Sequence, residues 1–109
     1  MDKRTNKIIR DYVAVIVKEN PKLLKAYLFG SYARKMDNPS SDIDIALVIE
    51  NLNDDEKFDL QVHLMLLASK FDSRIEPHPV SDKDFDSSNP FINEIKKNGI
   101  EIVPLPLSA

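Results

Sequence analysis

Glycine occurs only twice in this 109-residue chain, at Gly30 and Gly99, and that scarcity constrains the fold more than any other feature. The phosphate cradles G-x-x-x-x-G-K-[ST] and G-x-G-x-x-G need closely spaced glycines, so the P-loop and dinucleotide-binding Rossmann folds are excluded. At this length one domain spanning 1–109 is expected. The charge balance is 15 Lys+Arg against 18 Asp+Glu, a net −3. It lacks the basic excess of a general nucleic-acid binder, so an anionic ligand needs a local positive site. Cysteine is absent, which removes disulfides, thiol nucleophiles and cysteine-based zinc sites. The opening residues are charged, and the apolar stretch after them is broken by Arg10, Asp11 and Lys18. No signal-peptide core or membrane span can be drawn through it, and cytoplasmic residence away from the membrane is the expectation.

Ile8, Ile9, Tyr12, Val13, Ile16 and Val17 recur at helical spacing and predict an amphipathic helix from Thr5 to Glu19, stopped by Asn20-Pro21. Lys25 to Phe29 predicts a buried strand that turns at Gly30 into a short helical segment over 31–35, followed by a polar loop over 36–41. Asp42 to Glu50 alternates and then becomes continuously apolar, as a half-buried strand does. Asn53-Asp54-Asp55-Glu56 predicts a helix start, with Phe58, Val62, Met65, Leu66 and Ser69 continuing one face to about Phe71. Ser73 to Val80 predicts a strand that Pro77 and Pro79 confine to a sheet edge or an irregular strand end. Pro90 to Asn98 predicts a helix closed by Asn98-Gly99, before a last strand over Ile100 to Val103. The order describes a small α+β or mixed α/β domain built on one sheet.

The chemistry concentrates in Leu28-Phe29-Gly30-Ser31-Tyr32-Ala33-Arg34 and in Ser41-Asp42-Ile43-Asp44-Ile45. On a strand, residues two apart share a face, so Asp42 and Asp44 project together while Ile43 and Ile45 face the core. Two carboxylates so close repel unless a cation lies between them, and hard divalent ions take oxygen ligands together with substrate phosphates. Gly30-Ser31, where a strand meets a helix, offers backbone N–H groups, a positive helix end and a hydroxyl to a phosphate. Arg34, one helical turn on, supplies the local positive charge.

Gly-Ser, ten residues, then Asp-x-Asp, as in Gly30-Ser31 and Asp42-Ile43-Asp44, resembles the signature of the DNA polymerase beta-like nucleotidyltransferases. The whole chain looks most like their stand-alone minimal members. The resemblance implies a mixed β-sheet flanked by helices, a nucleoside triphosphate such as ATP, and two Mg²⁺ ions held by Asp42 and Asp44. It implies transfer of a nucleoside monophosphate, AMP, to a hydroxyl or amine acceptor. Gly30, Ser31 and Arg34 would hold the nucleotide. A third carboxylate is expected on a later strand, and Glu76 is assigned to it as metal ligand and general base, although Asp is usual there. Lys35 stands where relatives commonly have Gly, so the 36–41 loop is expected to differ in shape.

A chain this short has no room for an acceptor domain, so the acceptor is expected on a partner. Stand-alone relatives resemble antitoxins paired with a helical HEPN-type toxin, which they neutralise by modification or, in the competing reading, mainly by binding. Other features receive blander readings. Asp82-x-Asp84-x-Asp86 has Ser87 where a calcium loop needs Gly, and is read as an acidic loop and helix start. His63 is read as a partly buried or surface residue, and Tyr32 as packing. His78, two residues from Glu76 on the same strand face, is noted as lying near the candidate site without an assigned role.

Overall fold

The segment Ile43-Asp44-Ile45-Ala46-Leu47-Val48-Ile49 is apolar on both faces apart from Asp44, the pattern of a central strand covered on both sides. In the computed structural model, which describes residues 3–30, 42–86 and 89–104, this segment is β2 (Ile43–Ile49). Before it come α1 (Lys3–Glu19) and β1 (Leu23–Phe29), and after it α2 (Asp54–Ala68), β3 (Ile75–Ser81), α3 (Asp82–Phe85), α4 (Pro90–Asn98) and β4 (Ile100–Glu101). The sheet runs β3-β2-β1-β4. β1 is antiparallel to both its neighbours, whereas β2 and β3 are parallel, joined by α2 as the crossover. The expected mixed sheet flanked by helices is what forms. The short helix expected over 31–35 and the loop over 36–41 lie outside the described residues.

Period-two alternation divides the sheet between two layers. Ala26, Leu28, Ile43, Ile45, Leu47, Ile49 and Ile75 pack with Ile9, Tyr12, Val13 and Ile16 of α1 and Leu64, Leu67 and Ala68 of α2. On the opposite face Phe29, Ala46 and Val80 pack with Ile92 and Ile95 of α4, with Tyr27 and Phe85 at the margin. The buried Tyr12 hydroxyl donates to the Leu64 carbonyl at 2.9 Å, tying α1 to α2, and burial raises its pKa.

One expectation needs correcting. Phe58, Val62, Met65 and Leu66 were expected to continue one face of α2, and that face points to solvent, with Phe58 74% and Leu66 63% exposed. The buried face instead carries Leu64, Leu67 and Ala68, with Leu60 and Phe71 packed against the core. Gly99 closes α4 as expected, with extended backbone at φ −70°. Its requirement for glycine is steric, because a Cβ there would run into the Ile95 carbonyl oxygen.

β3 lies at the sheet edge, where Pro77 and Pro79 are tolerated because an edge strand has one side without ladder partners. On that side Gln61 of α2 donates to the Pro77 carbonyl at 2.6 Å. At the start of β3, Arg74 grips Asp72 through Nε and Nη2 at 3.0 and 2.8 Å, while the Arg74 carbonyl accepts from Ile43 N at 2.8 Å. This clamp aligns the beginnings of β2 and β3, which is where the acidic residues stand.

Candidate functional site

The layer on the α4 side is apolar until the strands begin, and there it turns polar. Asp44 sits directly opposite Phe29 in the antiparallel pair and beside Glu76 in the parallel pair. Because Ile43 and Ile45 are drawn into the core, Asp44 must face the α4 side, and Glu76 follows because Ile75 is drawn in likewise. His78 is two residues past Glu76 on that face. Its Nε2 lies 3.1 Å from Asp44 Oδ1, a diagonal contact across the strand pair. Its ring is held edge-on by Phe29, with centroids 5.1 Å apart, and Phe91 of α4 is tilted against it at 5.9 Å.

Gly30 shapes the opposite wall. It has φ +74°, a conformation glycine adopts without strain, and a Cβ there would stand 2.5 Å from Asp44 Oδ2. The missing side chain is therefore the space that the Asp44 carboxylate fills. The glycine predicted as a phosphate hinge thus also admits a carboxylate against the main chain.

Asp42 precedes β2 and is exposed. It lies close enough to Glu76 for its charge to act on that carboxyl. Glu76 is pushed above the usual carboxylate range, first by desolvation and then by repulsion from Asp44, with Asp42 adding to it and His78 opposing. Among the described residues, one ligand atom each from Asp44, Glu76 and His78 lie within 4.8 Å of one another. His78 also lines a cleft of about 210 Å³ with Lys57, Gln61, Asn89 and Phe91.

Of the residues singled out from the sequence, Gly30, Asp42, Asp44 and Glu76 are thus gathered at one end of the sheet, and Ser31 and Arg34 lie outside the described residues. His78 was missed as a neighbour of Asp44. The usable signal was its two-residue spacing from Glu76, which puts both on one face. His63 is exposed on α2, 3.0 Å from Glu19. Asp82 begins α3 and accepts from Asn51 N and Lys83 N, in keeping with an acidic helix start.

The family described as polymerase beta, nucleotidyltransferase matches residues 12–104. The chain belongs to the polymerase beta nucleotidyltransferase family. A putative nucleotidyltransferase from Sulfolobus solfataricus is similar in structure, with TM-score 0.65 and 24% identity over 90% of this chain and 78% of that one. A toxin–antitoxin crystal structure with AMP-PNP is similar at TM-score 0.60 and 25% identity, covering 88% of this chain and 73% of that one. The tri-AMPylated Shewanella oneidensis HEPN toxin in complex with MNT antitoxin gives TM-score 0.58 and 24% identity over 92% and 73%. A search of curated protein sequences finds no match.

Nucleotidyltransferases of this family typically work with a nucleoside triphosphate and a divalent metal. The residues present fit such an ion. Two carboxylates and an imidazole converge, Gly30 leaves room for one of the carboxylates, and the repulsion raising the Glu76 pKa is the kind a cation relieves.

Proposed function

We propose that this nucleotidyltransferase moves AMP from ATP to a hydroxyl group on a helical HEPN-type partner protein, with a divalent cation, Mg²⁺ by family expectation, bound by Asp42, Asp44 and Glu76. The observation that carries this reading is the meeting of Asp44, Glu76 and His78 against the positive-φ Gly30. Gly30, with Ser31 and Arg34 beyond it, is assigned to the triphosphate, through backbone N–H groups, a hydroxyl and a guanidinium. When bound, the ion offsets the charge of the triphosphate and of the departing pyrophosphate. Glu76, beside Asp44 at the start of β3, is assigned to take the hydroxyl proton. The acceptor oxygen bonds to the α-phosphorus, and the bond from that phosphorus to pyrophosphate breaks. The similar structures support the acceptor assignment, since one is an AMPylated HEPN toxin held by its antitoxin.

The test is transfer of label from [α-³²P]ATP to a helical protein encoded by the adjacent reading frame. Label on the partner that disappears in the Asp42→Asn, Asp44→Asn double variant is expected, and unchanged label in that variant overturns the assignment. A second reading, neutralisation mainly by binding, is favoured by the fact that similar antitoxins crystallise as complexes with their toxins. If the double variant protects cells from the partner as well as the wild type does, the protective role belongs to binding.

A further inference from the structure

We propose that His78 is itself a metal ligand, giving the site a mixed nitrogen and oxygen donor set that favours a first-row transition ion over Mg²⁺. The proposal rests on the reading of Asp44 and Glu76 as a divalent-ion site and adds to it a residue that neither the Asp-x-Asp motif nor the third carboxylate supplies.

Three observations carry it. First, His78 Nε2 and Asp44 Oδ1 are 3.1 Å apart. Two ligands of a single ion at bond lengths of about 2.1 Å stand about 3.0 Å apart at right angles and about 3.4 Å apart in a tetrahedron. This hydrogen-bonded pair therefore already has the spacing of adjacent ligands. Second, the imidazole is not a free surface group. Phe29 meets its ring edge-on and Phe91 leans on it, and within this packing Nε2 is directed to the carboxylate. Third, Glu76 completes the set on the same strand face, with all three ligand atoms within 4.8 Å. That span slightly exceeds the roughly 4.2 Å between opposite ligands of one ion. Glu76 is exposed and has the torsional freedom to close it.

The chemical consequence concerns which ion binds. Mg²⁺ takes oxygen ligands and gains little from an imidazole, whereas first-row transition ions favour nitrogen donors increasingly along the Irving–Williams order. Replacing His78 should thus affect the two kinds of ion unequally. A residue that only oriented Asp44 would affect them equally.

The experiment measures Co²⁺ and Mg²⁺ affinities by calorimetry on the full chain, for wild type, His78→Asn and the control His63→Gln. The expected result is that wild type prefers Co²⁺, and that His78→Asn loses about tenfold or more in Co²⁺ affinity while Mg²⁺ affinity moves by less than about threefold. His63→Gln should leave both unchanged. In parallel, NMR of the unmutated chain should show stoichiometric diamagnetic Zn²⁺ shifting the His78 ring nitrogen resonances and sparing those of His63, the only other histidine. This readout does not depend on any variant folding. An equal loss for both ions in His78→Asn, no loss for either, or unshifted His78 resonances overturns the ligand role. In those cases metal-dependent AMP transfer by the wild type leaves the nucleotidyltransferase reading standing. Absence of any ion binding by the wild type overturns both.

Discussion

Neutralising Glu76 should make the metal-free protein more stable while removing its response to metal. Asp44 and Glu76 bring carboxylate oxygens to within 4.8 Å of each other. Two unit charges at that separation repel by about 0.9 kcal/mol in water and by about 3.5 kcal/mol at an effective dielectric of 20. Glu76 is exposed, so solvent screening favours the lower figure, and about 1 kcal/mol is the expected gain for Glu76→Gln. For a domain of this size that is a rise of about 4 °C in Tm. The sign with pH follows from the raised pKa of Glu76. A group that holds its proton more tightly when folded contributes stability below its unfolded pKa, and that contribution disappears as pH rises through the folded pKa. Near neutral pH the wild type therefore carries the repulsion in full, and the advantage of the variant shrinks as the medium is acidified. Thermal melts in EDTA at low salt, repeated with saturating divalent ion, test this. The ion should raise the Tm of wild type, by about 1.4 kcal/mol of binding linkage at tenfold excess over Kd, and raise that of the variant much less. A variant that melts at or below the wild-type temperature in EDTA, or that gains as much from metal, would refute the reasoning.

Three further outcomes follow from the same geometry. Gly30→Ala forces a β-carbon into a positive-φ position 2.5 Å from Asp44 Oδ2; the backbone alone costs about 1–2 kcal/mol, and chemical denaturation combined with metal titration should show lowered stability and lowered affinity together. Leu64→Ala should cost about 3 kcal/mol in denaturant unfolding, whereas Leu66→Ala on the opposite side of α2, 63% exposed, should cost less than about 0.5 kcal/mol; equal costs would contradict the orientation of that helix. Asp72 is held below the usual carboxylate range chiefly by its side-chain hydrogen bonds from Arg74. Asp72→Asn should therefore cost about 1–2 kcal/mol near neutral pH, and following its unfolding midpoint across pH should show the cost vanishing as acid carries wild type through the lowered pKa.

How much of this could be read from the chain depends on the range of each interaction. The faces of β2 were legible because alternation is local: Ile43 and Ile45 go inward, and Asp44 must go the other way. The edge position of β3 was legible from Pro77 and Pro79, since a missing N–H is tolerated only where no neighbour needs it. The burial of α2 was not, because two apolar stripes compete at helical spacing. Phe58, Val62, Met65 and Leu66 form one, and Leu60, Leu64, Leu67 and Phe71 form the other. A helix apolar on two sides carries no local instruction about which faces inward. Tertiary packing decides it, and here the second stripe meets the hydrophobic layer of the sheet.

The contact between His78 and Asp44 was hidden for a different reason. Period two places His78 on the face of Glu76, but its meeting with Asp44 depends on the register of two parallel strands joined through α2. That register pairs Asp44 with Glu76 and Ala46 with His78, so His78 reaches Asp44 along the diagonal. Sliding β3 by one residue would turn Glu76 and His78 from Asp44 toward the opposite layer. The Asp72–Arg74 clamp, which delivers the Arg74 carbonyl to Ile43 N, resists that slide at the end of the sheet where the acidic residues gather. Its disruption should consequently weaken metal affinity as well as stability, although neither side chain belongs to the donor set. Arg74→Ala tests this coupling directly. Lowered stability with unaltered Co²⁺ and Mg²⁺ affinities would mean that something other than this clamp holds the register.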